Sequence, residues 1–195
     1  MPCRPRIVCL LPAVLATLLS ACANPPDKEM NQARGAIAAA RAAGAEQYAA
    51  DEYQAAVAAL DRASQAVEQR DYRQALSAAL DSQERAQNAA KEAANQKAIV
   101  RSEAERNLAE AYAMVGKAHE RLKAAAAARP RRHSFAAARA SITAAERAVQ
   151  EARAALGRGD YLAARKTIAG VAESLRSAIR QIDETIAAPA PRRRG

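Results

Sequence analysis

The chain has 195 residues, of which 50% are hydrophobic but only 3% aromatic, and it contains no tryptophan. Because 57 residues are alanine, most of this apolar half consists of single methyl groups, which argues against an enzyme domain built around a large core. The abundance of Ala, Glu, Lys, Leu and Arg is typical of long helices and coiled coils. We therefore expect an all-α protein whose long alanine-rich antiparallel helices form helical hairpins or an elongated bundle.

Residues 1–21 have the three-part layout of a secretory signal peptide. Two arginines precede an apolar run from Ile7 to Leu19, and small residues follow it. This run is shorter than the roughly 20 apolar residues of a membrane-spanning helix. Leu19-Ser20-Ala21-Cys22 resembles the bacterial lipobox, which implies cleavage before the cysteine, a diacylglycerol on its thiol and an N-acyl chain such as palmitate. Cys22 is then the lipidation site; a simple signal peptide with an incidental cysteine is the alternative.

Lipidation of Cys22 would decide where the protein resides. Two or more acyl chains anchor a protein stably, because each buried CH₂ contributes about 0.8 kcal/mol. Bacterial lipoproteins are sorted by a pattern in which an aspartate directly after the lipidated cysteine retains the protein in the inner membrane. In this chain Ala23 occupies that position. We therefore expect the periplasmic face of the outer membrane. Cys3 and Cys9 lie in the removed segment, so the mature chain has no cysteine for a disulfide.

Prolines divide the mature chain into regions, since proline cannot continue a helix. Pro25 and Pro26 interrupt helix formation near the amino terminus, Pro130 is the next proline, and Pro189 follows it. The long stretches between them are rich in alanine, the best helix former. The expected regions are a lipidated tether at 22–27, an alanine-rich helical region at 28–129, a second helical hairpin at 130–188 and a basic tail at 189–195.

In the first helical region, larger side chains recur at intervals of four and three residues, which predicts a buried stripe along a helix face. The stripe comprises Tyr53, Val57, Leu60, Ser64 and Val67, and later Leu108, Tyr112, Val115, His119 and Leu122. His119 is therefore expected to be partly buried. Residues 81–98 lack large apolar side chains, so we expect them to be solvated and weakly packed. The helix that begins at Tyr72 either continues unbroken to Arg129 or kinks in this polar segment.

Turn residues separate the predicted helices. Gly44 is expected to end an early helix, Asp51 to cap the next one, and residues 69–72 to form a tight turn. In the second hairpin, a heptad pattern is followed by a glycine-rich turn at residues 157–160, and one helix is expected from Tyr161 almost to Pro189. The heptad residues are Phe135, Ala138, Ile142, Ala145, Val149, Ala152 and Leu156.

An internal repeat aligns Asp71-Tyr72 with Asp160-Tyr161. Alanines on both sides then match without a gap, which favours a duplicated helical hairpin. In each copy we expect the aspartate to cap the second helix and the tyrosine to pack across the pair, a structural role rather than a catalytic one.

Three features in order resemble a known family. They are the segment 33–45, Tyr53 with its alanine-rich helix, and Arg70-Asp71-Tyr72 with Ala75. Together they resemble the bacterial envelope family called domain of unknown function 4398, over roughly residues 27–94. The resemblance implies a small, exported, alanine-rich helical protein, and it carries no assigned activity.

The sequence contains no recognisable catalytic or metal-binding motif. His119 and His133 lack metal-ligand spacing, and the glycines form no phosphate-binding loop. We expect no enzyme activity and no cofactor beyond the lipid, while the export signal argues against nucleic acid as a partner. The expected role is structural or interactive, with the membrane and either a protein partner or self-association.

Clustered arginines offer an alternative function, since guanidinium groups bind carboxylate and phosphate bidentately. They would make the protein a binding module for anionic envelope polymers, either peptidoglycan or lipopolysaccharide. The alternative is that the two clusters have no binding role and simply lie in a solvated loop and a solvated tail. The candidate anion-binding residues are Arg129, Arg131, Arg132, Arg192, Arg193 and Arg194.

Overall fold

The computed structural model describes residues 24–127 and 135–187, and within these residues every regular element is an α-helix. The all-α prediction is confirmed. The helices are α1 (Asp27–Ala43), α2 (Ala45–Tyr48), α3 (Ala50–Glu68), α4 (Tyr72–Ala127), α5 (Ala136–Gly157), α6 (Tyr161–Ile168) and α7 (Val171–Ala187).

Helix α4 is continuous over its 56 residues, so of the two alternatives for the polar segment the structure shows the unbroken helix. The chain divides into two compact units within α4, between Ala93 and Ala94. We call them the N-terminal unit and the C-terminal unit and describe each by itself. The predicted region boundary at 129/130 lies outside the described residues.

The N-terminal unit packs α1, α2, α3 and the first part of α4 around a core in which alanine predominates. Its largest buried side chain is Tyr53, and Ser82 is also fully buried, with its hydroxyl donating to the carbonyl oxygen of Ala56 at 2.8 Å. The main core cluster contains Ala40, Ala45, Tyr53, Ala56, Ala86, Ala89 and Ala93.

Two expectations for this unit are wrong for the same physical reason. Residues 81–98 are not weakly packed, because Ser82 and three alanines within them are fully buried. In α3 the fully buried positions after Tyr53 are alanines, while Val57 and Leu60 are half-buried. A methyl group lets two helices approach closely, so the alanines occupy the centre of each contact and the larger side chains cover its edges.

The C-terminal unit packs the second part of α4 against α5, α6 and α7, and its core side chains are larger. Of the heptad predicted for α5, six positions from Phe135 to Ala152 are buried, whereas Leu156 is half-buried and Ala155 is buried beside it. The two largest clusters together contain Ala118, Ala125, Phe135, Ala138, Ile142, Ala145, Leu175, Ala178, Ile179 and Ile182.

On α4 in this unit, the buried stripe differs from the predicted one. His119 and Tyr112 are exposed, contrary to the expectation for this stripe. The fully buried positions are alanines that recur every seven residues: Ala104, Ala111, Ala118 and Ala125. A heptad of small residues therefore faces α5, α6 and α7.

Most predicted helix ends agree with the structure. Gly44 ends α1 with a φ of 91°, in the left-handed region that favours glycine. Asp51, however, lies inside the first turn of α3, and the N-cap residue of this helix is Ala49. The single helix predicted after Tyr161 is broken, because Gly170, with a φ of 74°, separates α6 from α7.

Candidate functional site

The site residues predicted from the sequence lie outside the described residues. This applies to the lipidation candidate Cys22 and to both arginine clusters. Among the described residues, the features that bear on function are the turns of the two hairpins and the surface of α4.

The turns of the two hairpins have the same hydrogen bonds at a constant spacing along the chain. In the first, the amide of Asp71 donates to the carbonyl oxygen of Ala66 at 2.9 Å; in the second, that of Asp160 donates to Ala155 at 3.0 Å. The preceding residue has a positive φ in both. Each turn thus ends a helix. Its residue with the left-handed conformation reverses the backbone, so that the amide of the next residue donates a hydrogen bond to a carbonyl of the last helical turn.

The aspartate of each turn caps the helix that follows. Asp71 Oδ1 accepts a hydrogen bond from the amide of Gln74 at 3.0 Å, and Asp160 Oδ1 accepts one from that of Ala163 at 3.1 Å. The predicted capping role is confirmed, and it accounts for both aspartates without catalysis.

The correspondence continues beyond the turns in the positions that are buried. At the same spacing, buried alanines of the N-terminal unit match larger buried residues of the C-terminal unit, which supports a duplicated hairpin whose second copy has a bulkier core. The matched buried pairs are Ala79 with Ile168, Ala86 with Leu175, and Ala93 with Ile182.

The most exposed large apolar side chain among the described residues is Tyr112, at 69%. It borders a groove of about 400 Å³ between α4 and α5 that is open to solvent. The groove is lined by Glu105, Leu108, Ala109, Tyr112, Val149, Gln150 and Arg153. Sequence reasoning missed this surface because it assigned Tyr112 to the buried stripe; the heptad of alanines was the signal that could have revealed it.

Charged side chains border this part of the C-terminal unit. Glu105 accepts from Nε of Arg101 at 2.8 Å, within one helix turn. His119 Nε2 and Glu146 Oε1 lie 2.8 Å apart and join α4 to α5. Both pairs are about half exposed, so each contributes little to the free energy of folding.

A second charged cluster joins α7 to α4. Glu173 accepts from Arg176 at 3.0 Å and from Arg180 at 3.2 Å, and Arg176 also pairs with Glu110. Hydrogen bonding, first from Arg176 and then from Arg180, lowers the pKa of the Glu173 carboxyl below its ordinary value. The carboxylate is therefore favoured at this position.

Tyr53 is the unusual buried polar group of the N-terminal unit. The residue is 2% exposed, and its hydroxyl has no hydrogen-bond partner among the described residues. The guanidinium of Arg41 lies 5.9 Å from the centroid of its ring. The ring is thus packed in the core and close to a cation, and the interaction of Arg41 with the Tyr53 side chain, and then with Glu46, raises the pKa of the Arg41 guanidinium above its ordinary value.

Within residues 24–127 and 135–187, no group of three His, Cys, Asp or Glu side chains is arranged to hold a metal ion. In the same part of the chain, no helix combines the length and apolar character needed to cross a bilayer.

A family comparison covers the N-terminal unit and the adjoining part of α4. Residues 28–103 match the family Domain of unknown function (DUF4398). The resemblance predicted from the sequence is confirmed for this segment, which includes the first Asp-Tyr turn. Comparisons with curated proteins and with solved structures gave no match.

Proposed function

We propose that this chain is a lipid-anchored helical protein of the bacterial envelope, held at the periplasmic face of the outer membrane, with a structural or protein-interaction role and no catalytic one. The observation that carries the proposal is the position of Cys22, directly after Leu19-Ser20-Ala21 and at the end of an apolar run. A thiol at that position is the expected substrate of diacylglycerol transfer. Two or more acyl chains would make release from the bilayer slow.

The helical architecture supports the interaction part of the proposal. The aspartates of the two turns are explained by helix capping. At the same time, Tyr112 and Ile99 on α4 expose large apolar surfaces at 69% and 49%. Of the two, Tyr112 borders the open groove between α4 and α5, and an exposed aromatic ring in that position is a candidate anchor for a partner.

Metabolic labelling with a palmitate analogue tests the anchor. The natural chain should incorporate the label and sediment with membranes, whereas Cys22→Ala should lose both properties. Cys9→Ala is the matched control, because the signal segment that contains it is removed, and it should label normally. Incorporation that persists in Cys22→Ala, or natural protein recovered unlabelled and soluble, would reject the anchor.

A further variant tests the choice of membrane. Ala23→Asp places aspartate after the lipidated cysteine and should move the protein from outer-membrane to inner-membrane fractions on a density gradient. If the natural chain already bands with the inner membrane, the outer-membrane part of the proposal is wrong while the anchor stands.

A second candidate function is binding of anionic envelope polymers, favoured by the clustering of arginines and by the net charge of +7 that remains when residues 1–21, with their two arginines, are removed. Glutamine replacement of the six clustered arginines named above should then reduce cosedimentation with peptidoglycan or lipopolysaccharide. A matched control replaces six exposed arginines of the described residues, four in helices and two in turns: Arg70, Arg73, Arg106, Arg139, Arg147 and Arg158. Equal binding by both variants would reject this candidate.

A further inference from the structure

One exposed face of α4 has a self-complementary order of residues. Six exposed residues follow one another at intervals of four and three, so they lie along one side of the helix. We call this side the Tyr112 face. It consists of Glu105, Ala109, Tyr112, Gly116, His119 and Lys123.

The centre of the Tyr112 face combines a projecting ring with a gap. Tyr112 is 69% exposed, and Gly116 lies one turn further along the same side. A Cβ placed on Gly116 would contact nothing within 4 Å. Glycine weakens a helix relative to alanine, and nothing within the C-terminal unit requires it here. Close approach of another molecule is what would require a residue without a side chain.

Reversing the direction of the face matches each residue with its complement. When two antiparallel copies are aligned midway between Tyr112 and Gly116, each ring meets the partner's Gly116. Glu105 then meets the partner's Lys123, and His119 meets the partner's Ala109. A two-fold axis requires this reciprocity, because the same patch serves both copies. The Tyr112 ring of each copy thus lies over the partner's glycine, and each Glu105 carboxylate lies opposite a lysine ammonium group.

We propose that the Tyr112 face docks antiparallel on the same face of a second copy of this chain. The proposal deepens the interaction role proposed above and rests on it. The small residues Ala109 and Gly116 allow the two helix axes to approach closely. The ion pairs at the ends set direction and alignment more than affinity, as exposed pairs contribute little.

Sedimentation equilibrium of the purified full chain in density-matched detergent tests the contact. The natural chain should dimerise with rising concentration. Gly116→Leu should abolish the dimer, because the added side chain fills the gap that receives the ring. Gly35→Leu is the matched control: Gly35 is an exposed helical glycine with nothing within 4 Å of an added Cβ. Replacing glycine by leucine favours the helical conformation equally at both positions, so only Gly116→Leu should change the association of the chain.

Charge reversal tests the antiparallel alignment. Glu105→Lys and Lys123→Glu should each weaken the dimer about threefold to tenfold at low salt, since each places like charges opposite one another twice. The double variant restores opposite charges at both ends and should regain the natural association. Tyr112→Ala should weaken the dimer by about thirtyfold or more, as removal of a central aromatic does.

Three results would overturn the proposal. They are a natural chain that stays monomeric at every concentration, a dimer that Gly116→Leu leaves intact, and a double charge variant no better than the single ones. Cys22→Ala separates this proposal from the anchor, because it should lose the lipid but keep the dimer. Labelled natural protein that is monomeric would reject the contact and leave the anchor standing.

Discussion

Arg70 and Gly159 hold the same place in the two helix-stopping turns, and both have a positive φ, of 60° and 78°. Only one of them is a glycine. The left-handed conformation costs a residue with a Cβ about 1–2 kcal/mol, so the first turn is strained where the second is not.

Replacing Arg70 with glycine should therefore stabilise the N-terminal unit by about 1 kcal/mol, because it removes the strain of the left-handed conformation. The measurement is the free energy of unfolding from denaturant titration followed by circular dichroism. Arg70→Ala removes the same side chain but keeps the Cβ, so it should bring no such gain. Equal stabilisation by both variants would show that the arginine side chain, and not the backbone, is unfavourable.

Reciprocal substitutions at Ala86 and Leu175 test how the matched cores differ. Leu175 is fully buried, and truncation to alanine should cost about 2–5 kcal/mol because a cavity remains. Ala86 occupies the matching buried position, and Ala86→Leu should cost about 1–3 kcal/mol because the helices must separate. Thermal unfolding checks both. Stabilisation by Ala86→Leu would mean that the alanine core contains unfilled space.

Tyr53→Phe should leave stability unchanged or raise it by about 1 kcal/mol, because it removes a buried hydroxyl without a partner. Tyr53→Ala should instead cost about 3–5 kcal/mol through loss of the ring. Equilibrium unfolding of the two variants separates the hydroxyl from the ring. A substantial loss in the phenylalanine variant would contradict the unsatisfied state of the hydroxyl.

The ion pairs of Glu173 predict a pH dependence with a defined sign. Because the pKa of this carboxyl is lowered in the folded chain, its contribution to stability is present above the ordinary value of 4.5 and is lost as pH falls through the folded value. Natural chain and Glu173→Gln should differ in stability near neutral pH and converge in acid. A difference that is constant with pH would contradict the pKa shift.

The sequence was informative wherever local chemistry decides structure. The stop at Gly44, the caps at Asp71 and Asp160, and the heptad of α5 all depend on residues within one or two turns of each other. Their interactions are therefore visible in the order of the residues alone.

The break at Gly170 shows the limit of such local evidence. An isolated glycine within a helical pattern does not by itself decide between continuation and a stop. In the folded chain, Gly170 adopts a φ of 74° between α6 and α7. Ile168 before the break and Leu175 after it are both buried, so the core packing on each side is compatible with that conformation.

The alanine content of the sequence was enough to predict a helical chain, but the pattern of the large side chains did not show which alanines are buried. A methyl group is equally compatible with water and with a helix contact, so amphipathic patterns calculated from large side chains placed Tyr112 and His119 inside. Tertiary packing placed Ala111 and Ala118 there instead. Close approach of backbones decided the outcome, because the smallest side chains occupy the contact and the larger ones are displaced to its edges.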